Sequence, residues 1–342
     1  MKILVTGCKG YIGTVLVDEL ENKNFSVLGI DIGYFEDCKI CEKEENYSFI
    51  RKDIRDVTKE DLKSINAVIH LAALSNDPLG EFNPKLTEEI NLKGTLKFAK
   101  LCKNSGIERF IYVSSQSMYG ISNLNSELDE YDSDKNPLTT YAKTKWEAEQ
   151  ELNKMCSDTF CVVSFRPSTV FGFSPRLRCD IVFNNFVACA YTTKVIEIKS
   201  DGTPWRPVIH IKDVCNALIS GISAPKDIIK GRSYNIGYKR GNFSVKELAE
   251  AAANSIEGSK LIFTNEHLDS RTYKVCFKRI FDELGEWFKP EWDLDKGAKE
   301  LVTNFDKINF DEKTFRGNLT NRLLKLKDLK SQSELGDDLR WI

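Results

Sequence analysis

The feature that most constrains this chain is a glycine triplet. Gly7-Cys8-Lys9-Gly10-Tyr11-Ile12-Gly13 stands between an apolar run at residues 2–6 and a helical pattern. In a G-x-x-G-x-x-G turn each glycine meets a separate need. Gly7 permits the tight turn, Gly10 lets backbone N–H groups approach an anion, and Gly13 lets the helix lie close on the strand. The free N–H groups and positive dipole end of that helix favour a pyrophosphate. Strand, turn and helix together commit the chain to open with a βαβ unit.

The first half of the chain repeats that rhythm. Apolar runs at 25–31, 49–54, 67–73, 109–115 and 160–167 read as strands, and 56–65, 88–106 and 141–156 read as helices. Continuously apolar strands alternating with helices imply a parallel sheet covered on both faces. The expected fold class is α/β, a doubly wound parallel sheet (Rossmann) with a smaller, discontinuous α/β substrate lobe. Beyond residue 170 the rhythm breaks, with prolines at 175, 204, 207 and 225. The expected division is 1–170 for the dinucleotide sheet, with 206–240 returning to it. Residues 171–205 and 241–342 then form the second lobe and a charged tail.

Composition narrows the partners. Of 342 residues, 49 are Lys or Arg and 51 are Asp or Glu, a net charge of −2. That balance disfavours a nucleic-acid or anionic-membrane binder. No apolar run is long enough to span a bilayer and the N-terminus lacks a signal-peptide core, so a cytoplasmic protein is expected. The ten cysteines are scattered and read as reduced thiols. Cys38-x-x-Cys41 lacks the second ligand pair of a zinc site, so no metal is expected.

Asp31 ends the second strand, 18 residues beyond Gly13. A carboxylate there bonds ribose hydroxyls and repels a 2′-phosphate, so the expected cofactor is NAD. Asp53 and Ile54 end the third strand, at the adenine edge, where Asp53 could equally cap a turn. Tyr141 and Lys145 stand at i, i+4 and share one helix face. A neighbouring ammonium is expected to lower the Tyr141 phenol toward working pH. Ser114 and Ser115 end the fifth strand, where ligands of such sheets bind.

The motif set resembles the extended short-chain dehydrogenase/reductases, the family of NAD-dependent nucleotide-sugar epimerases and dehydratases. TGCKGYIG, Asp31, HLAA at 70–73, Asn91 in NLKGT, VSSQSMYG at 113–120 and YAKTK carry the resemblance, which spans about residues 1–300. It implies Ser115, Tyr141 and Lys145 as the catalytic set. It implies a cofactor lying on Gly7, Gly10, Tyr11, Ile12 and Gly13, with Asp31 and Ile32 beside the ribose. Further along come Leu71, Ala72, Ala73, Asn91, Ser114 and Pro167. For a nucleotide-diphosphate sugar the resemblance implies Arg206 and Arg271 on the diphosphate, with Asn184 or Asn185 near it. Arginines suit that role because each guanidinium donates a planar fork.

Further residues are expected near the sugar: Ser75, Asn76, Gln116, Ser117, Arg176 and Arg178. Asp77 reads as a third acid/base or, more simply, as a loop N-cap. A 4,6-dehydratase of this family carries Asp-Glu directly after its catalytic hydroxyl residue. Here Gln116-Ser117 stand there, and neither is an acid/base near neutral pH. That disfavours a dehydratase; between the two outcomes that share Ser, Tyr and Lys, the resemblance implies epimerisation through a transient keto sugar, at C4. The alternatives are a nucleotide-sugar 4-dehydrogenase or ketoreductase, then a dehydratase, then a non-enzymatic NAD-binding protein. Thr169 stands where several such epimerases carry Asn. A homodimer seamed by helices 88–106 and 141–156 is also expected, with Trp146 either in the core or at the interface.

Overall fold

The computed structural model describes residues 1–122, 124–264 and 272–342. Six strands follow in the order read from the sequence: β1 (Lys2–Thr6), β2 (Ser26–Asp31), β3 (Ser48–Arg51), β4 (Ala67–His70), β5 (Arg109–Val113) and β6 (Cys161–Pro167). The second half adds β7 (Thr169–Phe171), β8 (Val195–Ile198), β9 (Trp205–His210), β10 (Arg232–Ile236), β11 (Asn242–Ser244) and β12 (Lys260–Phe263). Seven of them form one parallel sheet in the order β10-β6-β5-β4-β1-β2-β3. The direction of winding reverses between β1 and β4, and a crevice opens beyond their C-terminal ends.

Burial explains why the strands are apolar on both sides. Every residue of β4 is buried, as are four of five in β1 and β5. One apolar cluster packs helices Tyr11–Asn22 and Ile211–Ser223 on one face. A second packs Thr95–Asn104 and Thr140–Met155 on the other. His70 at the end of β4 sits between the Thr6 and Thr95 hydroxyls, at 2.7 and 2.9 Å, and burial pushes its pKa down to about 3.

Three expectations are corrected. No α-helix forms over 56–65; two short 3-10 turns, Ile54–Asp56 and Glu60–Leu62, take its place. Asp61 accepts from the Thr58 N–H and hydroxyl, and such local side-chain bonds compete with helix formation. The helix expected over 88–106 begins as a π-helical stretch, Glu88–Gly94, and is α-helical only over Thr95–Asn104. The tail does not stay with the second lobe. Leu326, Leu329, Leu335 and Leu339 are buried in the same cluster as Leu4, Ile30 and Ile54 of the dinucleotide half.

The return expected over 206–240 is divided. β10 joins the edge of the main sheet, whereas β9 pairs with β7 and β11 in a separate three-stranded sheet. β8 and β12 form a parallel pair. These small sheets stand above the crevice and supply its far wall.

Candidate active site

A cavity of about 750 Å³ runs from the glycine turn along the ends of the central strands to the small sheets. Gly7, Gly10, Tyr11, Ile12 and Gly13 all line it. Gly7 has φ +76°, and a Cβ on Gly13 would fall 2.1 Å from the Gly7 carbonyl oxygen. A Cβ on Gly7 would stand 2.9 Å from the Ala72 nitrogen. Backbone here packs directly on backbone with no room for side chains, which fits a turn that offers its N–H groups to a dinucleotide pyrophosphate. Ser114 also lines the cavity, and its buried hydroxyl has no partner among the described residues.

At one end stand Asp31, Ile32, Asp53 and Ile54. The Asp31 carboxylate accepts from the backbone N–H of Lys9 at 3.0 Å and of Gly33 at 2.8 Å. Burial nevertheless raises its pKa above the usual carboxylate range. Asp53 plays the capping role that the sequence left open. It accepts from the Arg55 N–H at 2.7 Å, and both of its oxygens bind the Arg55 guanidinium, at 3.0 and 2.7 Å. Leu71, Ala72, Ala73 and Pro167 also line the cavity. Asn91 does not. Its amide accepts from the Leu74 N–H at 2.8 Å and donates to the Leu74 carbonyl at 3.1 Å. It positions the loop after β4.

Ser115, Tyr141 and Lys145 converge in mid-cavity. The Ser115 hydroxyl stands near the Tyr141 phenol, whose pKa it acts to lower, and donates to the Ser117 hydroxyl at 2.9 Å. Thr139 caps the helix that carries Tyr141, accepting from the Ala142 N–H, and its own hydroxyl donates to Asp77 at 2.5 Å. The expected lowering of Tyr141 is reversed. Burial pushes the phenol up to about 12, with Ser115 pulling the other way. Lys145 does not counter this. Its ammonium donates to the Val113 carbonyl at 2.8 Å, and burial pushes it down to about 7.

The opposite end gathers Ser75, Asn76, Ser117, Thr169, Arg178, Asn185 and Arg206. Arg178 forms a fork with Asp180, at 2.9 and 3.0 Å, and Asn76 adds a bond to Asp180 at 3.2 Å. Burial alone would raise Asp180, but Arg178 holds it below the usual range. The N-cap of helix Asp77–Phe82 is Asn76, not Asp77 as expected; Asp77 accepts from the Thr139 hydroxyl instead. Asn185 donates to the Cys179 carbonyl at 2.9 Å.

Three expected substrate residues are engaged elsewhere. Arg176 is fully buried off the cavity wall, bound to Thr14 and Glu45, each at 2.9 Å. It ties the first helix to the loop between β2 and β3. Asn184 is also off the wall. It accepts from the Gly172 N–H and donates to the Tyr11 hydroxyl and the Arg178 carbonyl, so both of its N–H donors are spent within the protein. Gln116 lines the cavity, but its amide donates to the Arg166 and Ile236 carbonyls, at 2.9 and 3.2 Å. Arg271 lies outside the described residues.

The sequence reading missed Asp180, Lys199, Tyr273 and Arg322, which also line the cavity. Asp180 was legible as the acid two residues after Arg178. Arg322 carries no local signal, because it reaches the cavity from the tail. Among the described residues no group of His, Cys, Asp and Glu could hold a metal ion, and no helix is long and apolar enough to cross a membrane.

A glycine cradle at a doubly wound switch point, with Ser, Tyr and Lys convergent beyond it, defines a dinucleotide-dependent enzyme of the short-chain dehydrogenase/reductase type. The family model described as "NAD dependent epimerase/dehydratase family" matches residues 3–237, and the chain belongs to that family; its cofactor is NAD. It is 29% identical over 328 residues to a UDP-glucuronate 4-epimerase of Thermodesulfobacterium geofontis, covering 90% of this chain and 97% of that one. It is 27% identical to UDP-glucuronic acid decarboxylase 3 of Arabidopsis thaliana, covering 89% of each chain. Among solved structures it resembles MoeE5 in complex with UDP-glucuronic acid and NAD, with TM-score 0.75 and 27% identity. That match covers 90% of this chain and 99% of the other.

Proposed function

We propose that this enzyme is a nucleotide-sugar 4-epimerase acting on a UDP-hexose. The observation that carries this reading is the composition of the mid-cavity. Ser115 and Tyr141 both line it there, and no carboxylate follows Ser115. Gln116 is spent on two backbone carbonyls, so the position that would protonate a C6 leaving group holds no acid. Bound NAD supplies a hydride acceptor and donor. Oxidation would use the phenolate form of Tyr141, which takes the C4 hydroxyl proton as hydride leaves C4, and the protonated phenol so formed returns that proton to the oxygen when the ketone is reduced. Ser115 aligns that oxygen by hydrogen bonding. Arg206 and Lys199, at the far end, suit the diphosphate. The relatives named above, a UDP-glucuronate 4-epimerase and a protein bound to UDP-glucuronic acid, support a UDP sugar.

Whether the hexose carries a C6 carboxylate is read from Arg178. Its guanidinium is matched by Asp180, so a neutral hexose is preferred over a uronate. The same reading includes a homodimer, with half-buried Leu96, Leu101 and Trp146 on the seam helices. The test is incubation of the purified holoenzyme, without added cofactor, with UDP-glucose, UDP-N-acetylglucosamine and UDP-glucuronate. Product stereochemistry is followed by NMR and reduced cofactor by absorbance. Epimer formation at C4 is expected. Accumulation of a keto sugar with stoichiometric NADH would instead establish a dehydrogenase, and a 4-keto-6-deoxy or decarboxylated product would also overturn the proposal.

A further inference from the structure

We propose that the C-terminal segment 332–342 belongs to the cofactor site, as a clasp that holds the two loops of its adenosine end and sets how tightly NAD is retained. The proposal rests on the assignment of Asp31 and Asp53 to that end, and goes beyond the reaction proposed above.

The segment folds back on itself after helix Arg322–Ser331. Leu335 and Trp341 form an antiparallel bridge, the Gly336 N–H donates to the Arg340 carbonyl at 2.8 Å, and the Ile342 N–H donates to the Glu334 carbonyl at 3.1 Å. Leu339 is held at φ +60°, a region that leucine rarely adopts. Backbone of this kind persists where the surroundings over-determine it. Here the surroundings are the cofactor loops.

Four contacts reach those loops. The Trp341 indole N–H donates to the Ile32 carbonyl at 2.7 Å, one residue beyond Asp31. The Tyr34 hydroxyl donates to the Leu339 carbonyl, and Tyr34 itself lines the cavity. The Asp338 carbonyl accepts from Arg55 at 2.9 Å, on the same guanidinium that grips both oxygens of Asp53. Arg340 forms a fork with Asp56, at 3.1 and 3.0 Å, two residues beyond Ile54. No residue of 332–342 lines the cavity. Its residues are therefore positioning residues, acting through the loops that do. Leu335 and Leu339, both buried, anchor the clasp to the core beneath those loops.

If the clasp and the cofactor hold the same loops, each must strengthen the other's binding by the same factor. The test uses the full chain with Trp341→Phe, which keeps an aromatic ring and removes one N–H, and with Arg340→Gln. Kd is measured for ADP-ribose, which is NAD without its nicotinamide and so covers the adenosine end and the glycine turn, and for UDP. Bound NAD is counted in protein as purified. Each variant is expected to weaken ADP-ribose binding about 10-fold and lower NAD occupancy, with UDP affinity unchanged. In the unaltered protein, ADP-ribose is expected to slow carboxypeptidase removal of the C-terminus. A purely structural role would lower Tm and leave the ADP-ribose Kd unchanged, and that result would overturn the proposal. So would equal loss of ADP-ribose and UDP affinity, or digestion indifferent to ADP-ribose. Failure of the unaltered protein to bind ADP-ribose would instead remove the assignment of Asp31 and Asp53. Neither outcome bears on the sugar reaction.

Discussion

The two ends of the cavity are built in opposite ways. At the adenosine end the strand termini come from the first 56 residues, and each carboxylate has a fixed local partner: Lys9 and Gly33 for Asp31, Arg55 for Asp53. At the sugar end the wall is assembled from chain-distant residues, among them Asn76, Ser117, Arg178 and Arg206. Local order there is supplied by one fork, Arg178 on Asp180. The difference teaches where each property resides. On the proposed assignment, cofactor choice follows from geometry near the glycine turn, whereas substrate choice depends on how separate segments come to rest against one another.

Four measurements break or sharpen that comparison. Gly13→Ala is expected to have the largest effect, near-complete loss of bound NAD in purified protein. Its Cβ would fall 2.1 Å from a backbone oxygen that cannot yield without opening the turn. Retention of NAD by that variant would show that the cradle is not rigid. Tyr141→Phe is expected to reduce kcat about 1,000-fold while NAD content stays intact, since it removes only the proton-transfer group. Turnover near the original rate would dismiss Tyr141 as acid/base. Arg206→Ala should raise KM for the UDP sugar about 10-fold with little change in kcat, the signature of lost uniform binding. A fall in kcat alone would place Arg206 at the reacting carbon instead.

The last prediction concerns pH and leaves neutral conditions almost untouched. His70 stands at the end of β4, whose following loop serves both ends of the cavity. Its folded pKa lies near 3, below the 6.5 of an unperturbed histidine. Below pH 6.5 the unfolded chain therefore binds a proton that the folded chain refuses. Stability contributed by neutral His70 is complete above pH 6.5 and is lost progressively as pH falls toward 3, on the order of 5 kcal/mol in all. Urea midpoints measured across that range should fall with acidity, and His70→Gln should flatten the slope. An unchanged slope would mean that other groups govern acid unfolding.

Much of the site was legible because its signals are local. The glycine spacing, the Asp31 position and the Tyr141–Lys145 interval each lie within a single turn, strand end or helix. Ser115 could be placed because β5 ends beside it. Legibility failed where a side chain had two possible destinations. Arg176 and Arg178 are two residues apart and chemically identical, yet one is buried against Thr14 and Glu45 while the other lines the cavity. Gln116 has the right position but spends its amide on Arg166 and Ile236. The pKa direction of Tyr141 was misread for a related reason: i, i+4 spacing says that Lys145 is a neighbour, not that its charge survives burial.

By itself the sequence determined the parallel sheet, its switch point, the cofactor cradle and the mid-cavity triad, because periodicity and short motifs act over a few residues. Only the tertiary structure decided which arginine faces the cavity, how Asn91 and Asn184 are spent, and where the tail goes. Residues 322–342 carry a leucine pattern that any apolar groove could bury. The groove that took it lies beside Ile32, Tyr34 and Asp56, some three hundred residues away in the chain. A contact of that sequence separation has no local signature, since it exists only once the sheet has formed and offered the surface.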